Sequence, residues 1–285
     1  MSRITPTRST VQSSDPGLFG PESVTWRVHS DPAMILGGFR ALLLQAVHPL
    51  VMAGFDDNSF FRGDPWGRLR RTGDWVGTVT FGSTAEANLA GARLRGLHAS
   101  LPLGFEPETG QAYRIDDPEL LLWVHCTEVE SFLSTYRRSG GRLARGDGNR
   151  YVDEMRSSAE LVGLDPGRVP ANEADLADYY RSVRPQLRLT RIARRNVAWG
   201  FAPPMPRWVS VATPARPAWA GLVAISFAML PVWARRLYGF PGLPTTNVGA
   251  TVAGRMVRTS AKLLPELLVG NPAHREARRR LAEAG

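Results

Sequence analysis

The 285-residue sequence has one cysteine, Cys126, and one lysine, Lys262. A single thiol excludes a disulfide framework and a cysteine-built metal site within the chain. It suits a reducing compartment, and the polar N-terminus MSRITPTRSTVQSSDPGLFGPES lacks the apolar run of a signal peptide. A cytoplasmic location is the expectation. Long apolar runs are missing as well. The longest, Trp219 to Ala234, is shorter than the ~20 residues of a spanning helix and carries Pro231 near its end. It reads as a buried core helix, with a peripheral membrane contact as the alternative.

Strand signals are also scarce, because no sustained two-residue alternation is bounded by hairpin turns. There is no G-x-G-x-x-G, P-loop, G-x-S-x-G or H-E-x-x-H. These absences argue against dinucleotide and nucleotide phosphate sites, α/β-hydrolase chemistry and zincin chemistry. A di-iron bundle needs paired Glu-x-x-His units. Glu128 and Glu130 follow His125, but neither precedes a histidine at that spacing.

What is present is an ordinary globular balance, 43% hydrophobic and 21% charged, with a net charge of +9. The positive charge is nearly all arginine and is scattered. It fits an anionic partner or the carboxylates of a cofactor. No aromatic-interleaved basic motif or zinc-finger spacing accompanies it, so no nucleic-acid partner is expected.

Helix signals recur along the chain. Asp31-Pro32 opens an apolar helix over Ala33–Gly54, which Pro49 should kink just after His48. Asp64-Pro65 starts a second helix that runs to Phe81 and stops at Gly82. Ser83 caps a third, which continues to Leu101. Asp117-Pro118 opens a fourth, ended by Gly140-Gly141. Shorter helices are predicted over Gly148–Val162, Glu173–Val183 and Pro185–Ala198, then Pro214–Met229, Pro231–Tyr238, Val248–Val269 and His274–Ala284. FAPPMPRW reads as a loop. The expected organisation is a flexible arm over residues 1–25 and one all-α domain over 26–285.

Five histidines hold most of the candidate chemistry. His29 and His274 lie near the ends and are expected to be exposed. His48, His98 and His125 lie on apolar helices, where an imidazole is either a hydrogen-bonded core group or a ligand. His98 shares a helical stripe with Leu94, Gly91 and Ala87. The small residues leave room for a flat macrocycle, or for a close helix crossing at Gly91. On the preceding helix, Arg68, Arg71, Thr72 and Trp75 share one face. Arginine pairs with carboxylates, haem propionates included, although a solvated basic edge has the same pattern.

Two blocks carry a resemblance to a known family: ALLLQAVHPLVMAGFDDNSFFRGDPWGRLRRTGDWVGTVTFGS and LRGLHASLPLGFEPETGQAYRIDDPELLLWVHCTEVESFL. Together they resemble the MpaB-like family, which shares its catalytic domain with latex-clearing protein, a haem-b dioxygenase of polyisoprene. The resemblance spans roughly Ala33 to Gly270. It implies a globin-like helical domain enclosing a haem pocket. By it, His98 matches the axial ligand, and Arg68, Arg71 and Thr72 match the family's basic helix. Latex-clearing proteins have lysine where Arg71 stands, and a distal glutamate with no counterpart near Val51 to Gly54. Rubber cleavage is therefore not carried over.

The expectation that follows is a haem-b-dependent oxygenase using O2 on a hydrophobic small molecule, with its electron donor open. Arg68, Arg71 and Thr72 would steer oxygen or hold a propionate, His48 would act as acid/base, and Gly91 and Leu94 would flank the macrocycle. His125 is expected to support the site from behind. The alternatives are a non-catalytic haem carrier or sensor, and a basic helical protein without cofactor.

Overall fold

The computed structural model describes residues 15–58, 64–265 and 270–284. The described chain is all-α apart from one short antiparallel hairpin. Its elements are α1 (Val24–His29), α2 (Met34–Gln45), α3 (Pro49–Asn58), α4 (Pro65–Phe81) and α5 (Thr84–Ser100). The hairpin β1 (Gly104–Phe105) and β2 (Ala112–Tyr113) comes next. Then follow α6 (Pro118–Arg138), α7 (Asp147–Glu154), α8 (Arg156–Leu161), α9 (Glu173–Val183), α10 (Arg191–Phe201), α11 (Arg207–Ala212), α12 (Ala215–Ala228), α13 (Val232–Leu237), α14 (Pro244–Leu263) and α15 (Pro272–Ala284).

The helix starts follow their sequence signals. Asp64 accepts a hydrogen bond from the Gly67 N–H at 2.9 Å with proline in the first turn of α4, and Asp117 does the same for Glu119 at the head of α6. Ser83 and Glu86 form a reciprocal capping box on α5. The long apolar helix expected over Ala33–Gly54 is instead two helices bent by 108°. The break falls at Ala46–His48, and Pro49 opens α3 rather than kinking a continuous helix. A proline needs no amide hydrogen in a first turn, so a fresh start costs less than a lost bond in mid-helix. Among the described residues no single helix is long and apolar enough to cross a membrane.

Helix α6 is the central post. Trp123, Cys126, Val129, Phe132 and Leu133 on it join Val24, Val28, Tyr151 and Tyr180 in the largest core cluster. Helix α2 packs along it, and α12 packs on α2. The α2–α6 approach is close because residue 37 is glycine: a Cβ there would meet the Phe132 ring at 2.7 Å. Other differences from expectation are local. Met155 divides the segment expected over Gly148–Val162 into α7 and α8. Helix α10 begins at Arg191, capped by Thr190, six residues after Pro185. The end of the Val248–Val269 helix, residues 266–269, lies outside the described residues.

The part of the N-terminal arm that is described, from Asp15, packs against the domain. Asp15 accepts hydrogen bonds from the Thr84 amide and hydroxyl at 2.7 and 2.9 Å. Two histidines expected to be exposed are not. His29 is buried between Thr80 and Tyr151, at 2.9 and 3.0 Å from their hydroxyls. His274 stacks on Trp26 and Phe81 with ring centroids 5.6 and 5.0 Å away. Proximity to a chain end misled here, because α1 and α15 both pack against α4.

Candidate functional site

Helices α4 and α5 are joined by Gly82 and Ser83 alone. Near that connection they are buried: Val79 and Ala87 form a cluster with Leu161 of α8. Away from it both turn to solvent, with Arg71 to Asp74 and Ala92, Arg93, Leu97 and Ala99 all exposed. At a rise of about 1.5 Å per residue, Thr72 lies ~15 Å and His98 ~22 Å from the connection along their helices. His98 thus lies at the outer end of α5, and the basic face on the outer half of α4.

An apolar pocket of ≈ 930 Å³, counted with the solvent at its mouth, opens there. Its walls come from five helices, with Phe39 and Leu43 of α2, Met52 and Phe55 of α3, Trp66 and Leu69 of α4, Val197 and Trp199 of α10, and Trp219 and Val223 of α12. An aromatic lip holds it together. Trp66 and Trp219 meet edge to face at 5.0 Å, and Trp219 meets Phe39 at 4.8 Å. The two indole N–H groups donate to the Pro204 and Gly200 carbonyls at 3.0 and 2.9 Å. The run Trp219 to Ala234, singled out in sequence for its apolarity, thus supplies part of the wall.

The predicted site residues separate into groups. Arg68 and Thr72 line the pocket, and among the described residues Arg68 is its one charged wall group. The Arg68 guanidinium sits 4.7 Å from the Phe55 ring centroid. Burial, then repulsion from Arg71, lowers its pKa to about 10, so it stays charged at neutral pH. The Thr72 hydroxyl donates to the Arg68 carbonyl at 3.1 Å. Arg71 points elsewhere, pairing with Asp64 at 3.0 Å on the surface. His48 is buried beside Trp123, ring centroids 6.0 Å apart, and accepts from the Val51 N–H at 3.4 Å. Burial lowers its pKa to about 4, against a raising contribution from Asp117.

His98 is half-buried near the end of α5 and is not among the pocket-lining residues. Its Nδ1 is buried with no hydrogen-bond partner. Burial lowers its pKa and the nearby Asp116 raises it, with burial the larger effect. The ring is thus a neutral imidazole with a nitrogen to spare, which is what an iron ligand requires. Leu94 beside it is half-buried. Gly91 does not offer room for a macrocycle, because a Cβ there would lie 2.9 Å from the Leu161 carbonyl oxygen. That glycine serves the crossing of α5 on α8. The groups a haem would use lie on two elements: an unpartnered imidazole on α5, outside the pocket lining, and apolar walls with the Arg68 guanidinium, which could pair with a propionate, in the pocket. No cluster of three or more His, Cys, Asp or Glu side chains able to hold a bare metal ion occurs among the described residues.

A second small pocket was not anticipated. Glu128 of α6 lines it with His29, Thr80, Trp75 and Ser158. Burial pushes its carboxyl up to about 7. The sequence signal was an acid among apolar residues on the face of α6 that carries His125, whose own pKa burial lowers to about 4. The folded state holds the Glu128 proton more tightly than the unfolded chain. The associated stability is present below the ordinary value of 4.5 and is lost as pH rises through about 7. Glu128→Gln should therefore stabilise the protein at pH ~8 by about 1–3 kcal/mol, and by much less near pH ~5. Urea melts of both proteins at the two pH values measure this; an equal gain at both would refute it. His29, His48 and His125 have the opposite pH dependence, but they are common to both proteins and cancel in the comparison.

The family described as ER-bound oxygenase mpaB/B'/Rubber oxygenase, catalytic domain, matches residues 26–261. No curated protein and no solved structure matches the chain.

Proposed function

The chain belongs to the mpaB/rubber-oxygenase catalytic-domain family, and from that premise we propose that it is a haem-b-dependent oxygenase acting on a hydrophobic small molecule. The observation that carries the substrate class is the apolar pocket with one charged wall group. Apolar walls with few placed polar groups orient a hydrophobic ligand and exclude charged metabolites on desolvation cost.

His98 is the iron ligand in this reading. Its neutral ring and unpartnered Nδ1 suit that role. When bound, haem b supplies the oxygen chemistry, which the protein tunes through the axial ligand, polarity and access. Arg68 remains charged inside a partly dry wall, so it can hold a propionate or polarise a bound group. The Thr72 hydroxyl spends its donor on its own helix and offers an oxygen acceptor. His48 does not line the pocket and, with its pKa lowered to about 4, is proposed to serve as a neutral hydrogen-bonding ring beside Trp123 rather than to take up a proton. Arg71 is proposed to act at longer range, by charge alone, since its guanidinium is paired on the surface.

The purified protein should show a Soret band and a pyridine haemochrome of haem b. With reductant it should consume oxygen in the presence of isoprenoid, sterol or fatty acyl compounds and not of nucleotides. Haem with no substrate-dependent uptake would leave a carrier or sensor instead. Arg68→Ala should alter turnover about tenfold or more, because a charged group in a dry wall exceeds its worth in water. Unchanged uptake and unchanged ferrous–CO stretching in both Arg68→Ala and Thr72→Ala would remove these residues from the site.

A further inference from the structure

The charge of this protein is unevenly placed. From Tyr179 to Pro265 the chain carries thirteen arginine and lysine side chains and no aspartate or glutamate. The same stretch holds most of the exposed large apolar side chains among the described residues, from Trp208 and Val211 to Leu264. Basic charge and exposed apolar surface seldom coincide without a partner.

The coincidence is sharpest on α14. Val248, Val252, Met256 and Leu263 are 65, 51, 65 and 83% exposed. Their spacings of four, four and seven place them on one face, with the exposed Thr259 between Met256 and Leu263. Arg255 and Lys262, both exposed, run along one edge of that face. The opposite face is occupied: Ala250 and Gly254 are buried, and α14 packs on α6 and α12. Among the described residues nothing covers the outer stripe, which is an apolar ridge with a cationic margin.

We propose that this face of α14 seats the protein on an anionic lipid surface. A helix with an apolar stripe and basic flanks lies in the headgroup plane, the stripe reaching the acyl boundary and the cations meeting lipid phosphates and carboxylates. Charge complementarity selects this occupant over a second copy of the chain. Two copies joined through the same face would bring the Arg255 and Lys262 margins of both copies together, and like charges across an interface are costly. The location also suits the pocket, since α12, which supplies its Trp219 wall, packs on α14. An apolar substrate partitions into lipid and would be met there. That last point rests on the proposed oxygenase reading; the docking itself does not.

The test is cosedimentation of the full-length protein with phosphatidylcholine vesicles, with and without phosphatidylserine, at low and high salt. Wild type should bind the anionic vesicles, bind neutral ones far less, and be released by salt. Met256→Asp, and separately Arg255→Glu with Lys262→Glu, should each weaken partitioning about tenfold or more while helical circular dichroism is unchanged. An exposed-face substitution that retains the fold but also retains full binding would overturn the assignment. So would failure of wild type to bind anionic vesicles. A dimer in sedimentation velocity that Met256→Asp dissolves, without vesicle binding, would make a second copy the occupant and reject the lipid.

Discussion

Replacing His98 with alanine should yield a folded, helical protein that lacks a Soret band. The imidazole is the one group on α5 with a buried nitrogen left unpartnered, and burial holds the ring neutral. Its removal takes away the proposed ligand without breaking any hydrogen bond on which the helix depends. The surrounding stretch is largely exposed, so the cost to the fold should be under about 1 kcal/mol. Haem content by pyridine haemochrome should fall to background, and external imidazole should restore part of it. His125→Ala gives the contrast. That ring is buried on the central post, so its loss should lower the melting temperature with haem retained. Stoichiometric haem in the His98 variant, or complete haem loss in the His125 variant, would transfer the ligand assignment.

The second large effect should come from Arg40, far from any proposed chemistry. Its side chain is 2% exposed, and its guanidinium makes four hydrogen bonds. It forms a forked pair with Glu130, donates to the Ser131 hydroxyl at 2.8 Å, and donates through Nε to the Met229 carbonyl at 3.0 Å. These contacts tie α2 to α6 and to the C-terminal end of α12. Arg40→Ala strands the Glu130 carboxylate and the Ser131 hydroxyl, while the Met229 carbonyl keeps its hydrogen bond from Arg138 at 2.8 Å. Breaking a buried pair from one side costs about 3–5 kcal/mol, and with the Glu130 side chain 29% exposed the low end of that range, about 3 kcal/mol, applies. For a domain of this size that is on the order of a 10 °C fall in melting temperature. Arg40→Met with Glu130→Leu should recover much of it, because no charge is then left alone. A loss under about 1 kcal/mol in the single variant would show the pair to be effectively solvated.

Much of the helical frame was legible because its signals are local. Asp64, Ser83 and Asp117 sit where cap residues bind amides within three positions, and those three starts fall where the sequence puts them. The Glu173–Val183 helix also has the expected bounds, with Asn172 as its cap. What could not be read depends on contacts between distant segments. His29 is buried because Tyr151, 122 positions later, folds onto it. Gly91 has the same sequence signature whether it admits a ligand or a neighbouring helix, and only the position of Leu161 distinguishes them. Arg68 and Thr72 reach the pocket while Arg71, on the same predicted face, turns to Asp64. Arg40 did leave a trace, as the one charge in the apolar stretch MILGGFRALLLQ. Its partner Glu130 lies ninety residues away.

The short connection between α4 and α5 works as the fulcrum of a lever. The capping box of Ser83 and Glu86 fixes it, Asp15 pins Thr84 from outside, and Leu161 wedges against Gly91. With arms of about 15–20 Å, a rotation of ~5° at the fulcrum shifts the outer residues by more than ~1 Å. A displacement of that size is enough to misplace a reacting group. The setting of α4 against α5 is therefore held by residues that touch neither Arg68 nor His98, and sequence changes at positions 15, 86, 91 and 161 should shift the two proposed groups relative to each other.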